Sequence, residues 1–185
     1  MNPKKRIWTG TAILLALPSI IVSAGVAQSQ LTTQSKVFAD GFGRAKVGMT
    51  VNAANSAAGT RLVSLDGKKT QSKGCAYVKP KTTPEGIQFM LTDGRIARVD
   101  VVKNKQITTV SGAKIGDTEA KIKSLYAGKI QVTPHKYVTG GHYLTFTPDS
   151  PNYKNYRVVF ETDGNRVTRY RAGKLPEVEF VEGCS

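Results

Sequence analysis

The sequence predicts an α+β fold made of two tandem repeats, each a helix followed by about three antiparallel strands, in a two-layer helix-on-sheet arrangement. Three observations predict it. The run Ala45-Lys46-Val47-Gly48-Met49-Thr50 returns as Ala113-Lys114-Ile115-Gly116-Asp117-Thr118. The turn Thr92-Asp93-Gly94 returns as Thr162-Asp163-Gly164. Between these landmarks Gly59 and Gly128, then Gly74 and Gly141, recur in the same order.

Each element can be justified in turn. Lys4, Lys5 and Arg6 precede apolar residues 12–22, and Gly25-Val26-Ala27 supplies the small residues of a cleavage site after Ala27. Residues 1–27 therefore read as an export signal. The alternative is a retained anchor, but its apolar core is shorter than the roughly 20 residues of a bilayer span, and Pro18 interrupts it. No later segment is apolar enough to span a membrane. Residues 28–41 are then a flexible lead, 42–110 repeat 1, and 111–185 repeat 2 with a C-terminal strand over 177–181.

Thr50 and Thr118 are placed to cap helices, because a threonine oxygen accepts an otherwise unpaired first-turn amide. The first helix covers 51–58 and is alanine-rich; in the second, Ile122, Leu125 and Tyr126 form one apolar face. Gly59 and Gly128 are expected to end them. Residues 75–79 and 142–147 read as one strand per repeat. Residues 87–91 and 95–102 read as a hairpin about Asp93-Gly94, with 157–160 and 166–171 as its counterpart.

These features resemble two related exported families. One is the β-lactamase-inhibitor protein, built of two tandem helix-plus-sheet repeats. The other is the small lipoprotein of the outer-membrane barrel-assembly machinery, which opens with a Gly-Met-Thr turn into a helix ending near a glycine, as Gly48-Met49-Thr50 and Gly59 do. The chain departs from the lipoprotein in having no lipid-attachment cysteine. The resemblance implies a binding fold without catalysis.

Cys75 and Cys184 are the only cysteines, and in an exported chain they are expected to form one disulfide. The chain carries 27 Lys and Arg against 13 Asp and Glu, a formal charge of +14, and loss of the signal leaves it strongly basic. That charge favours an envelope protein or an anionic cell-envelope polymer as partner, and export argues against nucleic acid.

Most chemistries lack their residues. The two histidines, His135 and His142, do not have the spacing of a zinc-binding helix, Lys136 would repel a cation, and a disulfide would consume both thiols. No Gly-x-Ser-x-Gly elbow or phosphate-binding glycine loop is present. No metal or cofactor is expected. The expected function is a non-catalytic binding module using a basic, tyrosine-rich surface: His135, Lys136, Tyr137, Arg98, Arg169, Arg171 and Tyr170. The alternative is a small periplasmic enzyme with His135 or His142 as general base. Strand alternation places His142 at the core edge with Leu144 and Phe146, while His135, in a loop between helix and strand beside Lys136 and Tyr137, is expected to belong to a basic binding surface rather than a catalytic centre.

Overall fold

The computed structural model describes residues 30–67 and 73–184. The expected export signal lies outside the described residues. In chain order the elements are β1 (Lys36–Phe38), β2 (Gly41–Phe42), β3 (Ala45–Lys46), α1 (Val51–Ala58), β4 (Leu62–Ser64), β5 (Cys75–Pro80), β6 (Ile87–Thr92), β7 (Arg95–Val101), β8 (Thr108–Thr109), α2 (Glu119–Leu125), β9 (Ile130–Pro134), β10 (His142–Phe146), β11 (Tyr156–Thr162) and β12 (Val167–Lys174). Two 3-10 turns cover Pro151–Tyr153 and Glu177–Glu179.

Eight strands form one antiparallel sheet in the order β4-β5-β6-β7-β12-β11-β10-β9. A second sheet, β3-β2-β1-β8, is small and has one parallel pair, β1 with β8. This corrects the expected architecture. The protein is predominantly β, and it is not a stack of helix-plus-three-strand repeats. The helices have only 8 and 7 residues, and α1 buries only Ala54 and Ala58. Such helices cannot cover a sheet of this width, so Val37, Phe42 and Ala45 of the small sheet share that layer with them. The core lies between this layer and one face of the large sheet, where Ile87, Phe89, Val99, Leu144, Phe160 and Tyr170 are buried.

Two further expectations are corrected. The lead at 28–41 is not uniformly loose: Leu31 and Val37 are buried, and β1 pairs on both sides. The C-terminal residues 177–181 are not a strand. A 3-10 turn over Glu177–Glu179 packs Val178, with Leu175 and Val181, against Tyr143 and Val159. By alternation, Tyr143 and Val159 face away from the main core, so the tail covers the other side of the sheet.

Local chemistry fixes the helix starts. Thr50 and Thr118 are extended, and each side-chain oxygen accepts the amide three residues on, Ala53 and Lys121, at 3.2 Å. Gly59 is left-handed and caps α1, whereas α2 ends at Tyr126 rather than Gly128. Thr118→Ala is expected to cost about 1 kcal/mol, read as a lower urea midpoint with an unchanged denaturant slope. An unaltered midpoint would show that the cap contributes nothing.

Asp93 and Gly94 both have positive φ, 49° and 72°, as a two-residue type I′ hairpin turn requires. At the opposite end of the sheet, β9 is an outer strand. His135 N–H donates to Gly141 O at 2.9 Å, so Gln131 and Thr133 pair inward while Ile130, Val132 and Pro134 turn their backbone outward. Pro134 therefore sits where its missing N–H faces solvent.

Candidate functional site

Alternation along β7, β10, β11 and β12 sends Arg98, Asp100, Tyr143, Glu161, Arg169 and Arg171 to the face away from the core. The register sets Arg171 opposite Asp100 and Gly173 opposite Arg98. Glycine is required at 173, because a Cβ there would lie 2.4 Å from Arg98 Cβ.

The C-terminal tail then closes over these groups. Arg98 Nη1 donates to Glu177 O at 2.8 Å and Phe180 O at 2.7 Å, its Nη2 to the Tyr77 hydroxyl at 2.7 Å, and its Nε to Asp100 at 2.9 Å. Arg171 Nε donates to Val178 O at 2.5 Å, and its Nη1 donates to Glu161 Oε1. Cys184 is joined to Cys75 of β5, so the end of the tail is covalently fixed. Arg98 and Arg171 are only 3% and 5% exposed.

Glu161 is the hub of this arrangement. Its Oε2 accepts Arg169 Nε at 2.5 Å and lies 3.3 Å from His135 Nε2. Burial pushes its carboxyl up, but the charge of Arg171, the hydrogen bond and charge of Arg169 and the bond from His135 together hold it below the usual carboxylate range. At Asp100 burial prevails over Arg98 and raises the carboxyl. At Tyr170 burial pushes the phenol well above its usual value.

The expected binding residues are thus dispersed. Arg98 and Arg171 are buried under the tail, and Tyr170 points into the core, its hydroxyl donating to Ile107 O at 3.0 Å. Arg169 alone of the three arginines keeps an exposed side chain. His135 Nδ1 accepts the amides of Tyr137 and Val138 at 3.1 and 3.2 Å, which leaves the ring proton on Nε2, aimed at Glu161. The ring stacks on Tyr143 at 4.4 Å and is buried. The expected place of His135 on a binding surface is corrected: both nitrogens are occupied by structural bonds, and neither is left to accept a substrate proton. Lys136 and Tyr137 are exposed, and both reach Glu182 of the tail; Glu182 and Tyr137 raise the Lys136 ammonium above its ordinary value.

His142 occupies the core edge beside Leu144, as alternation predicts. Its Nδ1 lies 2.8 Å from Glu119 Oε1, which also accepts the Thr162 hydroxyl at 2.5 Å. Burial raises the Glu119 carboxyl, while bonds from Thr162 and His142 and the charges of His142 and Lys123 outweigh it and bring it below its usual value. This pair could orient an imidazole. Among the described residues no group of three His, Cys, Asp or Glu side chains is arranged to hold a metal ion.

A second site emerges at the end of the sheet where β5 leaves and β7 ends. The loop between β5 and β6 and the segment after β7 enclose a cavity of about 540 Å³, within the range of small-molecule sites. Lys79, Lys81 and Lys103 line it together with Thr82, Thr83 and Glu85. Its apolar wall includes Leu65, Pro80, Pro84, Ile87 and Val102. The two loops are stitched together: Val102 N–H donates to Gly86 O at 3.0 Å, and Asn104 Nδ2 to Glu85 O at 3.0 Å. Gly86 has φ 74°, and a Cβ there would crowd Asn104 at 3.0–3.1 Å. Among the described residues none of the three lysines has a carboxylate oxygen within 4.0 Å, whereas Lys46, Lys121, Lys123, Lys129, Lys136 and Lys174 all do. The sequence signal was present as the tracts Lys79-Pro80-Lys81 and Lys103-Asn104-Lys105. Only the β6–β7 hairpin brings them to one end.

No family model matches the chain, and no curated protein matches it. Among solved structures the chain is similar to the crystal structure of the uncharacterized protein YfeY from Escherichia coli, at 18% identity and a TM-score of 0.46, over 75% of this chain and 99% of that one. Among the described residues no helix is long and apolar enough to cross a membrane.

Proposed function

We propose that the chain is an exported, non-catalytic binding protein, periplasmic or secreted, whose partner is an anionic component of the cell envelope. One observation carries this reading. The buried arginines and His135 are consumed by the protein's own carboxylates and carbonyls, while Lys79, Lys81 and Lys103 line a preformed cavity whose single acidic residue, Glu85, makes no ion pair with any of them within 4.0 Å. A net excess of cations along a preformed wall attracts anions. The Cys75–Cys184 disulfide supports an oxidising compartment. The enzyme alternative would rest on His142 and Glu119 alone.

The reading is tested with immobilised lipopolysaccharide as the polyanionic probe. Binding is expected to weaken steadily as salt rises through the physiological range, because exposed charges are screened beyond about 8 Å there. The variant carrying Lys79→Gln, Lys81→Gln and Lys103→Gln is expected to bind roughly 10-fold more weakly with an unchanged melting temperature, as exposed-charge substitutions leave stability nearly untouched. Retention equal to the parent protein would refute the reading.

A further inference from the structure

We infer that the cavity at Lys79, Lys81 and Lys103 is a site for a phosphorylated saccharide, an inference that rests on the binding function proposed above. Three features of the wall select this ligand class. The first is the kind of cation. Lysine is a compact point charge without the planar fork with which arginine matches a carboxylate, and it serves phosphate well as a point charge. Three lysines lining one cavity are better matched by a phosphomonoester, which approaches two negative charges near neutral pH, than by a single carboxylate.

The second is size and polarity. A cavity of about 540 Å³ exceeds what a bare phosphate fills. Its remaining wall mixes apolar surface from Leu65, Ile87 and Val102 with polar groups from Thr82, Thr83 and Glu85. Apolar surface suits the C–H faces of a sugar ring, the threonine hydroxyls can donate or accept, and a glutamate accepts from sugar hydroxyls. A carboxylate in a wall made only to hold anions would be counterproductive. Beside a sugar it has a task.

The third is rigidity. The hydrogen bonds from Val102 to Gly86 and from Asn104 to Glu85, with Gly86 packed against Asn104, fix the two loops before any ligand arrives. A preformed wall avoids the ordering cost that two mobile loops would add on binding.

The test is calorimetric titration of the full mature chain with glucose 6-phosphate, inorganic phosphate, glucuronate and glucose. Glucose 6-phosphate is expected to bind at least about 10-fold more tightly than either glucuronate or inorganic phosphate, with glucose alone showing no heat. The triple lysine-to-glutamine variant is expected to lose the glucose 6-phosphate signal. Glucuronate binding as tightly as glucose 6-phosphate would overturn the phosphate assignment, and inorganic phosphate doing so would overturn the saccharide. Binding only to phosphatidylglycerol vesicles, with no glucose 6-phosphate heat, would replace the saccharide by a membrane surface and also overturn the inference. If lysine-dependent lipopolysaccharide binding persists while glucose 6-phosphate shows no preference, this inference alone falls. If lipopolysaccharide binding is indifferent to the lysines, the underlying function falls with it.

Discussion

Glu161→Ala is expected to cost about 3–5 kcal/mol, the range for removing one partner from a buried charge cluster. Glu161 is 1% exposed and is the shared acceptor of Arg169, Arg171 and His135. Its loss strands the Arg171 guanidinium, itself buried, next to Arg98 on the neighbouring strand. Glu161→Gln preserves volume and one acceptor and isolates the charge. Because the folded carboxyl titrates below its unfolded value, its stabilising contribution is fully present above the ordinary glutamate range, near pH 4.3, and is lost as pH falls through the lower folded value. Urea unfolding of the parent protein and Glu161→Gln should therefore show a constant gap between roughly pH 7 and 5 that narrows toward pH 3. A gap that stays constant down to pH 3 would mean that the charge of Glu161 is not what holds the cluster.

Cys184→Ser is the second large effect. The bond joins residues separated by 109 positions, so its removal enlarges the unfolded ensemble, and loss of a native disulfide typically costs about 2–5 kcal/mol. Here it also frees the only covalent hold on a segment whose carbonyls at 177, 178 and 180 satisfy two buried arginines. The expected readout is trypsin cleavage after Lys174, with release of the remaining C-terminal peptide from Cys184→Ser. The parent protein should stay intact under the same non-reducing conditions. Equal protection of the two proteins, with equal melting temperatures, would show that the carbonyl contacts and the packing of Val178 hold the tail unaided.

Much of the secondary structure was legible in the sequence. The span of α1, both threonine caps, the Asp93-Gly94 hairpin and the disulfide pair all follow from chemistry confined to a few residues or from cysteine count. The fold class was not. β1, β2, β3 and β8 are two or three residues long, too short to display a period of two, and the sheet they form is completed only by the distant pairing of β1 with β8. β4 is likewise only three residues long, while β9 is an edge strand whose side chains are largely exposed.

The site was misread by a related route. Arg98-Val99-Asp100 and Arg169-Tyr170-Arg171 carry the alternation of a half-solvated sheet, and that reading is correct for everything local to β7 and β12. The cover comes from a tail about 80 residues beyond Arg98, held by backbone carbonyls that any sequence could offer. His135 was similarly opaque, since its two amide donors are fixed by a turn and its carboxylate partner lies two strands away. The lysine tracts were visible as composition, but their convergence depends on the hairpin between them.

Pro134 has a bearing on how the molecule behaves in a crowd. An eight-stranded sheet that ended in five open residues would be a template for the next chain. If two copies met through β9 in antiparallel register about Val132, Pro134 of each would face Ile130 of the other and could return only one of two ladder bonds. The outer strand thus carries its own stop: it pairs fully with β10 on one side and offers a second copy only an incomplete ladder on the other.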